Sequence, residues 1–171
     1  MKPYIRLAGC VLAALLFMPV LQAATTQSTP FRVEVLDEGQ YVPVGSVRIK
    51  PSERTASGRV GSHNGLKQVS SSREVAAKLG TTFGFRYRVL GLPEGETEDF
   101  EIRAVHPPMT SPSGKISTVS SAPSPLLSEG GQAFGDLVYR LSEPGELLPG
   151  QWILQVLYRG QVVINREFTV R

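Results

Sequence analysis

The sequence predicts an all-β fold, a single antiparallel two-sheet sandwich of seven or eight strands. Three observations carry that expectation. Short runs alternate apolar and polar residues with a period of two and are rich in β-branched and aromatic side chains. The 17 glycines and 13 prolines fall largely between those runs, where they set turns. No run with a helical period is long enough to make a helix, and no repeat or heptad register occurs.

Residues 1–23 read as a secretory signal peptide. Lys2 and Arg6 give a basic start, residues 11–20 are apolar, and small Ala23 offers a cleavage site. The apolar run is short for a spanning helix, and Pro19 breaks it near its end. Leu7-Ala8-Gly9-Cys10 spells a bacterial lipobox, but a lipobox cysteine follows the hydrophobic run, whereas here the run follows Cys10. The expected localisation is periplasmic or secreted, in a Gram-negative-type bacterium, with no integral membrane span after cleavage.

Cleavage would leave 148 residues from Ala24 without a cysteine, so disulfides and thiolate metal ligands are excluded. Stability must then come from the core, and a chain of this size buries about two-thirds of its surface as one domain. Removing Lys2 and Arg6 leaves 16 basic residues against 15 acidic ones, so the net charge falls from +3 to +1. Neither nucleic acid nor an anionic membrane is implied as a partner.

Residues 24–30 form a polar leader, and residues 31–171 are assigned to the sandwich domain. Phe31, Val33 and Val35 alternate with Arg32 and Glu34 as a first strand, and Asp37-Glu38-Gly39 reads as a turn. Residues 42–49 are strand-like but broken by Pro43 and Gly45, which suits an edge. Residues 51–65 are polar and turn-rich. Residues 66–72 and 74–79 read as strands or extended pieces, because five residues ending at Gly80 are short for a helix. Phe83, Phe85, Tyr87 and Val89 then share one face, with Arg86 and Arg88 on the other. A turn at 91–96 leads to Phe100, Ile102 and Ala104, and His106-Pro107-Pro108 is expected to end that run, since proline cannot donate to a ladder. Residues 109–131 are rich in Ser, Pro and Gly. So long a loop is functional, mobile, or hides a short strand, for which residues 115–119 are the candidate. Leu137, Tyr139 and Leu141 resume sheet character.

The chain closes with a hairpin of residues 151–157 and 161–170. Trp152, Leu154, Val156, Val162, Ile164, Phe168 and Val170 all carry even numbers, so both apolar sets must face one side. A two-residue loop would set them on opposite sides. A three-residue loop, Tyr158-Arg159-Gly160, pairs Val156 with Val162, and its third position needs the left-handed conformation that Gly160 supplies. Ordering about twenty residues costs ~1–2 kcal/mol each, so the hairpin needs a second layer of strands to cover it.

The run Leu79-Gly80-Thr81-Thr82-Phe83-Gly84-Phe85-Arg86-Tyr87, the His106-Pro107-Pro108 triplet and the end Glu146-Leu147-Leu148-Pro149-Gly150-Gln151-Trp152, with its Tyr-x-Gly turn and final Phe-Thr-Val, resemble a family of small exported bacterial proteins described as a domain of unknown function. The resemblance covers residues 79–171. The Pro-Gly-x-Trp corner and closing hairpin are also similar to the last strands of immunoglobulin-like sandwiches. The resemblance implies the fold and export, and carries no activity, cofactor or catalytic residue.

Catalytic chemistry finds little footing. Beyond the leader the chain has two histidines, His63 and His106, and three aspartates, Asp37, Asp99 and Asp136. It has no zinc-protease, nucleophile-elbow, phosphate-loop or Ser-x-x-Lys motif. Ser57, Ser62 and Ser70 to Ser72 lie near His63 in turn-like sequence, where serine ordinarily serves the backbone. His106 and Met109 are the only nameable metal candidates, since imidazole and thioether suit copper, but two side chains do not make a site. Glu94, Glu96, Glu98, Asp99 and Glu101 crowd one turn without the spacing of a calcium loop. Arg86 and Arg88 are expected to pair across strands, with Arg103 and Glu101 on the neighbour. The reading is of a non-enzymatic exported module without a cofactor, taking a protein or peptide partner through loops or an edge strand. The alternative is a periplasmic carrier of a small ligand or copper.

Overall fold

The computed structural model describes residues 30–111 and 113–171. The stretch read as a signal peptide, residues 1–23, and most of the polar leader lie outside the described residues. Strands run β1 Arg32–Pro43, β2 Val47–Pro51, β3 Arg59–His63, β4 Leu66–Ser70, β5 Glu74–Val75, β6 Thr82–Leu90 and β7 Thr97–Glu98. They continue as β8 Phe100–Thr110, β9 Ile116–Pro123, β10 Leu126–Leu127, β11 Gln132–Arg140, β12 Gly150–Tyr158 and β13 Gln161–Val170, with a 3-10 turn at Pro144–Glu146. The strands outnumber the seven or eight expected because the turn-rich stretches 44–65 and 109–131 contribute short ones.

Two sheets form the sandwich. One has the order β11-β6-β1-β4, the other β5-β13-β12-β8-β9, and β2-β3 and β7-β10 are separate two-stranded ribbons. Pairing is antiparallel except between β13 and β5. Period-two alternation does what it predicts on β6 and β12: Phe83, Phe85, Tyr87 and Val89 face Trp152, Leu154 and Val156, all buried. Trp152 is the hub. Its ring meets Phe83 edge-on at 5.8 Å and lies 4.7 Å from Tyr139, and its indole N–H donates to Leu148 O at 3.1 Å.

Four local expectations are corrected. Asp37-Glu38-Gly39 is not a turn: β1 runs through it, with a bulge at Leu36 between Val35 and Asp37. Residues 42–49 are not one edge strand. Val42 and Pro43 end β1, whereas Val47 and Ile49 belong to the separate β2-β3 ribbon beyond Gly45, which takes a φ of 78°. His106-Pro107-Pro108 does not end its strand, because β8 carries the prolines in an irregularity and resumes pairing at Met109 with Ser117.

The closing hairpin has a two-residue loop. Tyr158 pairs with Gln161, and Arg159 and Gly160 both take positive φ, 51° and 77°, the mark of a type I′ turn. The parity conflict is real but is resolved inside the strand: Val156 pairs with Ile164 and Leu157 with Val162, leaving Val163 as a bulge. Val162 therefore faces solvent, and Val163 packs on the core in its place.

Candidate binding cleft

The β2-β3 ribbon forms because Val47-Arg48-Ile49-Lys50 alternates and residues 52–58 close on themselves. Ser52 N–H donates to Gly58 O at 2.9 Å, and the Thr55 hydroxyl reaches Ser52 O at 3.1 Å and Arg59 O at 2.9 Å. Every residue of β2 is exposed. The ribbon is fastened over the flank of the sandwich by polar contacts instead. Ala56 N–H donates to Ser120 Oγ at 2.8 Å and Ser121 N–H to Arg54 O at 2.9 Å. Arg59 meets Glu143 at 2.6 Å, and His63 Nε2 donates to Asp136 Oδ1 at 3.1 Å.

Between ribbon and flank lies a cavity of ≈ 170 Å³. Val47, Ile49 and Val60 form its roof, and Ile102, Ala104, Ala122 and Leu137 its apolar floor. Although they line it, Val47 and Ile49 remain 40% and 55% exposed. Burying such side chains fully is worth roughly 1.5–3 kcal/mol each, so the cleft is under-filled by the chain itself.

Tyr139 and Glu146 supply its polar groups. Glu146 is buried. Its position follows from the corner sequence: Pro144 opens the 3-10 turn, and the Glu146 carboxylate folds back onto the free N–H groups at its start. Oε2 accepts from Ser142 N–H at 2.5 Å and Glu143 N–H at 3.0 Å, while Oε1, among the described residues, accepts only the Tyr139 hydroxyl at 3.1 Å. Burial, with the Glu146 charge beside it, pushes the Tyr139 phenol well above its ordinary range. Among the described residues no lysine or arginine forms an ion pair with Glu146.

The two histidines lie apart from one another in role. His106 is buried on β8, where its Nδ1–H donates to Pro107 O at 2.8 Å and its Nε2 accepts from Ser120 Oγ at 3.2 Å. Ser120 Oγ in turn accepts Ala56 N–H, so the neutral ring and the serine are fully satisfied. Burial holds His106 below its usual pKa, against the Pro107 hydrogen bond and the Glu146 charge. Metal ligation through His106 would sacrifice one of these bonds, and Met109 is packed into the core. Among the described residues no three His, Cys, Asp or Glu side chains are grouped to hold a metal ion.

His63 lines the cleft, but its donor reaches Asp136, and the nearby Ser57 hydroxyl donates to Arg59 O at 3.4 Å rather than to the ring. The acidic turn disperses: Glu94 caps Gly131 N–H, Glu98 accepts the Tyr158 hydroxyl, and Glu101 meets Arg54 and Arg103. Arg86 and Arg88 pair across strands as expected, though with Asp37 and Glu34 of β1. Arg103 and Glu101 lie in the other sheet.

Tyr139, Glu146, Val47 and Ile49 were not singled out as site residues by sequence reasoning. The ribbon had a signal, since an alternating tetrad followed by Gly58 and Arg59-Val60 has hairpin spacing. Glu146 had only its isolation, a carboxylate ahead of Leu147-Leu148.

Among the described residues no helix is long and apolar enough to cross a membrane. No curated protein matches the chain. Among solved structures, the chain is similar to an immunoglobulin-like protein from Pseudomonas aeruginosa, with a TM-score of 0.60 and 23% identity over 85% of this chain and 99% of that one. That likeness shows an immunoglobulin-like sandwich. An alkylpurine DNA glycosylase of Pseudomonas fluorescens (TM-score 0.41, 13% identity, 58% of this chain and 28% of that one) matches too weakly to carry an argument. The same holds for a β-glucosidase of Listeria innocua (TM-score 0.40, 12% identity, 73% and 16%). Residues 33–170 match the pattern of a family described as Domain of unknown function (DUF3859), and the chain belongs to that family.

Proposed function

We propose that this protein is an exported, non-enzymatic binding module whose binding site is the cleft under the β2-β3 ribbon. One observation carries the reading: a largely apolar cavity of ≈ 170 Å³, roofed by half-exposed Val47 and Ile49, has the polar pair Tyr139 and Glu146 in its wall. Its size suits a small ligand. Export rests on the basic, apolar and small-residue pattern of residues 1–23. The non-catalytic reading is supported by His63, whose partner is Asp136 and to which no serine hydroxyl bonds among the described residues.

A second reading, a peptide partner added to a sheet edge, is favoured by exposed Val69 on the outer strand β4 and exposed Val42 on β1 beside it. The two are separated by one experiment. Native mass spectrometry of protein recovered from the periplasm is expected to show a chain beginning at Ala24 carrying a small adduct. The adduct is expected to be missing from Val47→Phe, in which the ring fills the roof. An unprocessed chain would sink the export claim, and a bare mature mass for the wild type would sink the cleft reading.

A further inference from the structure

We infer that the cleft takes a small apolar amine, with its ammonium at Glu146 and its hydrocarbon part under Val47 and Ile49. The inference rests on the cleft being the binding site and adds the chemistry of the ligand. Glu146 is a buried carboxylate held by two N–H groups and one hydroxyl, with no cation among its partners in the described residues. Buried charges are ordinarily paired, and a donor of opposite charge is the complement this one lacks. Oε1 carries a single hydrogen bond, whereas a carboxylate oxygen accepts two.

The guanidiniums that line the cleft do not fill this role and do not call for an anion. Arg59 is engaged by Glu143 and Arg103 by Glu101. Arg140 turns toward Gly80, where a Cβ would sit 3.8 Å from its Nη2. The apolar residues set the other half of the specificity. A cavity of about 150 Å³ lined by aliphatic side chains takes benzene, so the ≈ 170 Å³ here accommodates one ring or a short alkyl chain. An acid of the same shape would bring its charge toward Glu146, and an alcohol would leave that charge unpaired.

The test is a nitrogen–proton NMR titration of the full chain as exported, with benzylamine, benzyl alcohol and benzoate as probes. Benzylamine is expected to bind at least tenfold more tightly than either analogue, shifting the amides of Ala104, Ala122 and Leu137. Glu146→Gln is expected to bring the amine down to the affinity of the alcohol. Because Glu146 also closes its corner, Val47→Phe is the second variant, and it is expected to abolish binding of all probes while keeping the dispersed wild-type spectrum. If the alcohol or benzoate bound as tightly as the amine, the amine inference would fall and the cleft reading would stand. If no probe shifted these amides, or Val47→Phe bound as wild type does, the cleft reading itself would fall.

Discussion

Gly39 of β1 and Gly84 of β6 stand opposite each other in the first sheet, each filled from the side by a neighbouring strand's backbone. Gly39 has a φ of 134° and Gly84 one of 155°, conformations that swing an L side chain into the plane of the sheet. A Cβ on Gly39 would lie 2.1 Å from Ser70 O of β4, and one on Gly84 would lie 2.0 Å from Leu137 O of β11. The obstacle at both positions is main chain, which cannot step aside as a flexible side chain would. The pair thus allows all four strands to close up.

The first prediction follows from that crowding. Gly84→Ala forces β11 away from β6 and strains the backbone as well, and is expected to cost at least ~3 kcal/mol. Gly160→Ala, where nothing lies within 4 Å of a Cβ, carries only the cost of its positive φ, on the order of 1 kcal/mol. Urea unfolding midpoints of the two variants measured side by side check the ranking. Equal midpoints would mean that β11 yields more freely than its contacts imply.

These same glycines show where the sequence was legible. β6, β11, β12 and the first half of β8 each bury one face, so Phe83-Phe85-Tyr87 and Trp152-Leu154-Val156 announce themselves by alternation. Gly39 misleads because a glycine in polar surroundings looks like a turn, whereas its role is to admit Ser70 O, a contact 31 positions along the chain. Pro107 and Pro108 mislead because a bulge removes the requirement for their missing N–H groups. The type I′ loop was missed because parity can be restored inside a strand as well as in its turn. The cleft was least legible of all: β2 alternates, but it is exposed along its whole length, so the Val47 and Ile49 face that roofs the cleft is not marked by burial in a core.

Ser120 joins the ribbon to the core, receiving Ala56 N–H and donating to His106 Nε2. Ser120→Ala leaves both groups buried without partners and is expected to cost about 1–3 kcal/mol. Arg59→Ala also removes a fastening of the ribbon, but its ion pair with Glu143 is half-exposed on both sides, and such pairs contribute ~0–1 kcal/mol. Hydrogen exchange across residues 47–63 is the readout. Protection there is expected to fall sharply in S120A and little in R59A. The reverse order would place the ribbon's anchor at its rim.

His106 gives stability an acid limit. Burial favours its neutral form, so its folded pKa lies below the ordinary 6.5. Between those two values the unfolded chain holds a proton that the folded chain refuses. The contribution is therefore complete above pH 6.5 and is lost as pH falls toward the folded value. Denaturation midpoints of the wild type are expected to drop between about pH 7.5 and about pH 5.5. His106→Gln, which cannot titrate, is expected to show a flatter profile over that range. Parallel profiles would assign the drop to other groups.

The alkaline limit belongs to the core tyrosines. Tyr87 is pushed up to about 12, chiefly by burial, and Tyr139 is raised further by burial and the Glu146 charge. From pH 10 upward the unfolded chain releases phenolic protons that the folded chain retains. Stability is thus full below pH 10 and declines as pH rises through the folded values. Tyr139→Phe removes one of these protons from the balance, and at neutral pH it also removes a hydrogen bond to a carboxylate, worth ~1.5–3 kcal/mol. The variant is expected to be less stable than wild type at pH 7 but to lose less on going from about pH 9 to about pH 11, as followed by urea unfolding. A constant gap between the two proteins across that range would mean that Tyr139 ionises as readily in the core as in water.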